Sequence, residues 1–246
     1  HLMKNSEWGA VAYLAQSKYG NNNNEPYVNN INLNSGGAKR TATEGKTGVD
    51  SVYAVTGVTT GMANEEEKQK TIENLITTGN TANNGVYTWD QIEGQKSSST
   101  LNMYGVFDLS GGVWERTAGY VANGYSKLKD YGSSLTDSGT RITSTKYVTV
   151  YSHDTAETST DIDTKSRANY NVNKYIFGDA IRETSISGTG ATSWKEDYSY
   201  FPALIHPFFI RGGLMWNDSI AGLFAFYRIY GGSGYHIGFR PVLIAL

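Results

Sequence analysis

Residues 208–246, FFIRGGLMWNDSIAGLFAFYRIYGGSGYHIGFRPVLIAL, constrain the fold more than any other part of this chain. Apolar and aromatic runs too short for a stable helix alternate with glycine-rich turns at 211–213 and 231–234, so short strands joined by tight corners are expected, closing with a strand over 237–246. The stretch divides into two kinds of residue. Arg211, Gly212, Gly213, Trp216, Ala221, Gly222, Phe224, Ile237, Gly238, Phe239, Arg240 and Pro241 read as scaffold, while Leu214, Asn217, Asp218, Ile220, Tyr227, Ile229, Tyr230, Ser233, Tyr235 and His236 read as interchangeable contacts. Aromatic and small polar side chains on a stiff glycine frame suggest a binding surface.

Upstream, Asn5 or Ser6 can cap a helix whose apolar residues Trp8, Val11, Ala12, Ala15 and Tyr19 recur at helical spacing, with Gly20 as its stop. Residues 65–76 carry a charged face that ends in Ile72, Leu75 and Ile76, the pattern of a short surface helix. Residues 102–121, NMYGVFDLSGGVWERTAGYV, alternate around a Ser-Gly-Gly turn and predict a strand entering and leaving a tight corner. The strictest alternation, RITSTKYVTVY at 141–151, predicts a strand, and 154–163 an acidic loop. Helix first and strands last imply an α+β class. With 246 residues, 39% of them apolar, the chain can bury one core as a single domain.

The formal charge of −2 with dispersed Lys and Arg provides no field to attract nucleic acid or an anionic membrane, so neither is an expected partner. No apolar run is long enough to span a bilayer. The absence of cysteine excludes disulfides, thiolate metal sites and thiol catalysis together. Gly45-Lys46-Thr47 resembles the end of a phosphate loop, but the position that loop reserves for glycine holds Arg40. His1, His153, His206 and His236 show no ligand-pair spacing, and Asp154, Glu157, Asp161 and Asp163 match no calcium loop, so no metal or cofactor is expected. Asp108 and Glu115 could form an acid pair for glycoside hydrolysis. A carboxylate after Trp114, however, more often pairs with an arginine such as Arg116, Arg211 or Arg240.

Three segments together resemble a known family: the helix NSEWGAVAYLAQSKYG, the corner YGVFDLSGGVWERTAG, and the tail IRGG followed by AGLF and IGFRPVL. They are similar to the C-type lectin fold in the version shared with formylglycine-generating enzymes. The specific residues are Gly105, Asp108, Gly111, Trp114 and Glu115, then Arg211, Gly212, Gly213, Gly238, Phe239 and Arg240. The resemblance covers about half the chain and leaves 120–201 as an expected insertion before the C-terminal strands. The family's enzymes depend on cysteines near the C-terminal motifs, and this chain has none, so the resemblance implies the fold without the oxidase activity.

The tail also resembles the variable repeat of diversity-generating retroelement proteins, in which adenine-directed mutagenesis rewrites Asn codons. Such codons reach Tyr, His, Ile, Leu, Ser, Asp and Asn but never Lys, Glu, Gln, Met or Trp. All ten interchangeable residues belong to the reachable set, and no Lys, Glu or Gln occurs anywhere in 197–246. The resemblance implies a non-catalytic receptor-binding or adhesion module, extracellular or on a cell or phage surface, with 208–246 as its variable region. The ligand would be a protein or a glycan. The alternatives are a structural pilin-tip or tail-fibre component, or a thiol-independent enzyme of the same family.

Overall fold

The computed structural model describes residues 1–29, 58–59, 87–214, 217, 220–234 and 236–243. The expected helix at 65–76, the Gly45-Lys46-Thr47 motif, and Trp216, Asp218 and Tyr235 lie outside the described residues. The chain divides into two compact units, one of residues 1–13, 114–211 and 224–246, the other of 14–113 and 212–223.

The class is mixed α and β, as the order of patterns implies. Two short strands, β1 (Val58–Thr59) and β2 (Tyr87–Thr88), pair antiparallel in the second unit, whose described residues also include one helical turn at Ile92–Gln95. The first unit is organised on β3 (Trp114–Val121), β4 (Thr149–Tyr151), β5 (Thr189–Thr192), β6 (Tyr198–Tyr200), β7 (Phe208–Gly212), β8 (Gly222–Ile229) and β9 (Ile237–Phe239). These form a seven-stranded mixed sheet in the order β4-β3-β7-β8-β6-β5, with β9 also paired to β3. The longer helices among the described residues are α1 (Asn5–Gln16), α2 (Lys127–Thr136) and α3 (Ile162–Val172). Strand β3 is the hub: one edge takes β9 in parallel at 114–116 and β4 in parallel at 119–121, while β7 runs antiparallel along the other. The closing strand is shorter than expected, because after Phe239 the chain turns to pair with its own N-terminus. Met3 N–H donates to the Arg240 carbonyl (3.0 Å) and Val242 N–H to that of His1 (2.7 Å).

Helix α1 forms where its spacing predicts, and Trp8, Ala12 and Ala15 are buried, although Tyr19 lies beyond its end and is exposed. Asn5 does not cap it. Its amide is fully buried, donating to the Tyr151 hydroxyl (3.0 Å) and accepting from Thr117 Oγ1 (2.8 Å). The helix start is held instead by Glu7, whose Oε2 accepts from Lys4 N–H (2.9 Å), the reaching-back half of a capping box.

Two strand expectations are corrected. Of 141–151 only Thr149–Tyr151 joins the sheet. Ser144 Oγ takes the Val150 N–H (2.9 Å) and a Thr145–Val148 turn folds the preceding residues outward, so local side-chain bonds displace the ladder. In 102–121 the strand only leaves the corner: Asn102 Oδ1 caps Tyr104 N–H (2.9 Å), and Asp108, Gly111 and Gly112 take positive φ before β3 begins. The acidic loop ends at Asp161, whose side chain accepts from Thr164 N–H and starts α3, so Asp163 is helical.

Residues 120–201, the segment with no family pattern, provide three strands of the sheet and much of its core. Val121, Tyr151, Tyr170, Ile181 and Phe201 from that segment pack with Phe209 and Phe226.

In the second unit Gly111 N–H donates to the Gly212 carbonyl (2.9 Å), and a Cβ on Gly111 would lie 2.4 Å from the Asn29 carbonyl. Gly213, at φ 86°, would drive a Cβ to 2.6 Å from that of Ala221. The central corner at Gly111 and the tail corner at Gly213 therefore each need glycine.

Candidate functional site

Side chains alternate along a strand, so β8 presents two unlike faces. Phe224 and Phe226 point to one face, and the pairing of Ser199 with Phe226 places Tyr198 and Tyr200 on the other, beside Tyr227. There Tyr227 meets Tyr200 edge-on at 5.4 Å, Tyr198 at 5.6 Å and Trp114 at 6.0 Å between ring centroids. Tyr198 and Tyr200 contact each other at 5.0 Å. Trp114 is buried beneath, while the three tyrosines are partly exposed, giving a surface of packed rings. Burial, then the neighbouring Tyr200 and Tyr227, raise the Tyr198 hydroxyl pKa, so it stays protonated as a donor.

Just past β8, Tyr230 is 42% exposed and stands edge-on to Tyr131 of α2 at 5.7 Å, with the His206 ring at 6.3 Å. Burial lowers the His206 pKa, with Arg228 adding to it, so the imidazole is neutral at pH 7. Arg116 fixes the following turn by donating from one guanidinium nitrogen to the Gly231 (2.8 Å) and Gly232 (2.5 Å) carbonyls. Arg228 packs its guanidinium 4.6 Å over the Tyr200 ring and pairs with Asp163 at 2.6 Å.

The opposite face is locked. Arg211 is fully buried, donating to the carbonyls of Asp179 (3.1 Å) and Ala180 (3.2 Å), its guanidinium 5.5 Å from the Trp8 ring. Asp179 accepts from the Tyr151 hydroxyl (2.7 Å) and Ile181 N–H (3.1 Å). Burial pushes the Asp179 pKa up to about 6 and pulls that of Arg211 down to about 10, each opposed by the other's charge. Glu115 finds the partner its context suggests: Arg240 donates bidentately, Nε to Oε2 at 3.0 Å and NH2 to Oε1 at 2.5 Å. Gly238 lies opposite Glu115 in the β3–β9 ladder.

The tail residues expected as contacts separate accordingly. Tyr227, Tyr230, Ser233 and His236 are half-buried or exposed in the first unit, and burial lowers the His236 pKa. Ile229 is 8% exposed and Leu214 7%, so both are packing residues in this arrangement, not surface contacts. In the second unit Asn217 closes its own turn, its Oδ1 accepting from Leu214 N–H (2.7 Å), and Ile220 is half-buried beside it. Among the scaffold residues, Trp114, Glu115, Arg211, Gly212 and Gly213 are buried, but Phe239 is 71% exposed and is not core.

The tail pattern misses Tyr131, Tyr198, Tyr200 and His206 because they precede it in the chain. The Tyr-Ser-Tyr alternation at 198–200 is the sequence signal for two of them. The other candidate chemistries are occupied by structure. Asp108 Oδ1 accepts from the Asn29 amide (2.9 Å), Asp154 and Glu157 accept from Ala156 and Ser159 N–H, and Asp161 caps α3. Among the described residues no three His, Asp or Glu side chains converge as a metal-ligand set. No helix among them is long and apolar enough to cross a membrane. No protein-family model matches the chain, and no curated protein matches it significantly.

Proposed function

We propose that this chain is a recognition module that binds a protein or glycan ligand through the tyrosine face of its sheet, as a receptor-binding or adhesion domain outside the cell or on a phage particle. The observation that carries this reading is the contrast across β8. Tyr230 is exposed beside Tyr131 and Tyr227 is partly exposed among Tyr198 and Tyr200, while the reverse side of the same sheet is fixed by the Arg211–Asp179–Tyr151 network. Tyrosines on a rigid frame offer large amphipathic contacts at low entropic cost, and a buried frame tolerates their replacement. The C-type lectin fold of the formylglycine-generating-enzyme type and retroelement-driven variation of 208–246 belong to the same proposal. The fold rests on the resemblance of the three segments NSEWGAVAYLAQSKYG, YGVFDLSGGVWERTAG and the IRGG to IGFRPVL tail, and the variation on the tail's codon-reachable composition.

The test is a glycan array and a panel of purified cell-surface proteins, probed with the wild-type chain and with a Tyr227→Ala, Tyr230→Ala double variant that retains its circular dichroism. Ligands captured by the wild type and lost by the variant support the proposal, whereas ligands retained by the variant remove this face from the role. Diversification is tested separately: it fails if the genomic neighbourhood lacks a reverse transcriptase and a template copy of 208–246. A second reading, a pilus-tip or tail-fibre subunit, draws on the strongly exposed Tyr175, Phe177 and Ile186, and self-association in light scattering would favour it. An enzyme using Asp108, Glu115 or His236 has less support, because Asn29 and Arg240 already engage the two carboxylates.

A further inference from the structure

The chain contains two Asn-Gly pairs: Asn84-Gly85, outside the described residues, and Asn123-Gly124. The second pair joins β3 to α2, with Gly124 and Tyr125 exposed and Asn123 half-buried. The Asn123 side chain is held at both ends. Its Oδ1 accepts from Tyr125 N–H (3.1 Å), an Asx turn, and its Nδ2 donates to the Leu204 carbonyl (2.6 Å). That clamp ties the 123–125 loop to the 203–206 turn, which Ala203 and His206 close by exchanging two backbone hydrogen bonds (3.1 and 2.9 Å). The imidazole of the same turn stands 6.3 Å from the Tyr230 ring.

The clamp also sets an electrophile beside a nucleophile. An Asx turn closes a ring through Cγ and the Asn123–Gly124 peptide bond, so the Gly124 nitrogen is held close to the side-chain carbonyl carbon. Attack there places negative charge on Oδ1, the atom to which Tyr125 N–H already donates. Gly124, at φ 70°, has no side chain to shield its nitrogen, and beyond its chain neighbours nothing lies within 4 Å of where a Cβ would stand. Asn102 provides the contrast. It makes the same turn, its Oδ1 accepting from Tyr104 N–H (2.9 Å), but its successor is Met103, whose Cβ crowds the amide.

We propose that Asn123 is a self-modification site, converting through a succinimide to aspartate or isoaspartate and so opening the clamp on Leu204. The Gly124 nitrogen bonds to Cγ and gives up its proton, while the Cγ–Nδ2 bond breaks and the side-chain nitrogen leaves as ammonia. Water, the only co-reactant, then opens the imide ring at either carbonyl, giving aspartate or isoaspartate. In both products a carboxylate replaces the Nδ2 donor, so the Leu204 carbonyl loses its partner and faces a negative charge. The chemistry is independent of what the tyrosine face binds.

The test is peptide mapping by mass spectrometry of the folded full chain stored in mildly alkaline buffer, with isoaspartate methyltransferase labelling of the product. A synthetic peptide of residues 121–127 sets the rate of the unconstrained pair. Asn123 should convert at least as fast as it does in that peptide, and faster in alkaline than in acidic buffer because the attacking nitrogen must lose its proton. Asn102 should remain an amide. Gly124→Ala should slow conversion about tenfold or more, a barrier change of about 1.4 kcal/mol. In Asn123→Asp, hydrogen exchange at the Ala203 and His206 amides should quicken about tenfold, the effect of one lost hydrogen bond. The proposal is overturned if Asn123 of the folded chain stays an amide when the free peptide has converted, or if Asn102 converts as fast. Unchanged exchange in Asn123→Asp would overturn the release of the turn. Should Gly124→Ala fail to fold, the comparison of the wild type with the free peptide decides.

Discussion

The two faces of one sheet solve opposite problems. Around Arg211 a guanidinium, a carboxylate and the Tyr151 phenol are withdrawn from water and held by each other and by backbone carbonyls. Around Tyr227 the residues are of similar bulk, yet they meet ring to ring and keep part of their surface in solvent. Buried polar networks fix geometry because any lost partner leaves an uncompensated group, whereas aromatic contacts at a surface can be exchanged at small cost. The first face should therefore resist substitution and the second should tolerate it.

The largest effect is expected at Arg211. Arg211→Met should destabilise the first unit by about 3–5 kcal/mol in urea unfolding, because it strips the charge partner from a buried carboxylate and two carbonyls of their donors. A loss below about 1 kcal/mol would erase the distinction between the faces. Next comes the pH response of Asp179. Its folded-state pKa of about 6 stands above the ordinary carboxyl value, so the native state binds the proton more readily. The group's contribution to stability is greatest below about pH 4 and declines, by roughly 3 kcal/mol, as pH rises to about 6. The difference between wild type and Asp179→Asn across that window measures it, and a difference that grows in favour of the wild type would show the sign to be wrong.

Removing Arg240 is a smaller test on the same side. Arg240→Ala leaves the buried Glu115 without its bidentate partner and should reduce stability by about 2 kcal/mol. Glu115→Gln, introduced in addition, should recover part of that loss in a double-mutant cycle. The smallest effects belong to the open side. Tyr227→Ala, which gives up three ring contacts, should lose about 1–2 kcal/mol, while Tyr230→Ala and the exposed Phe239→Ala should stay within about 0.5 kcal/mol. Thermal melts rank all three, and a core-sized loss at Phe239 would restore it to the framework.

Several of these features are legible in the residue pattern alone. The apolar spacing of Trp8, Ala12 and Ala15 locates α1, and the context of Glu115 names Arg240 among its candidate partners. The alternation in 141–151 misleads because Ser144 and Thr145 offer the backbone local bonds that outcompete a strand ladder. Phe239 reads as framework because its motif is apolar, although β9 is short and leaves that side chain at the surface. Helix α3 is signalled by its capping aspartate, Asp161, near the end of the stretch 154–163 that otherwise reads as loop.

The linear order of residues suffices for the class, the glycine corners, the absence of thiol chemistry and the partition of the tail into small, aromatic and charged residues. These follow from local steric and chemical rules that each residue carries with it. It took the folded arrangement to join Tyr198 and Tyr200 to Tyr227, to turn Leu214 and Ile229 inward, and to draw Asn5 from its cap to the Tyr151 hydroxyl. Those outcomes depend on which strands become neighbours and which groups must then be satisfied away from water, and pairing across such distances leaves no periodic mark in the chain.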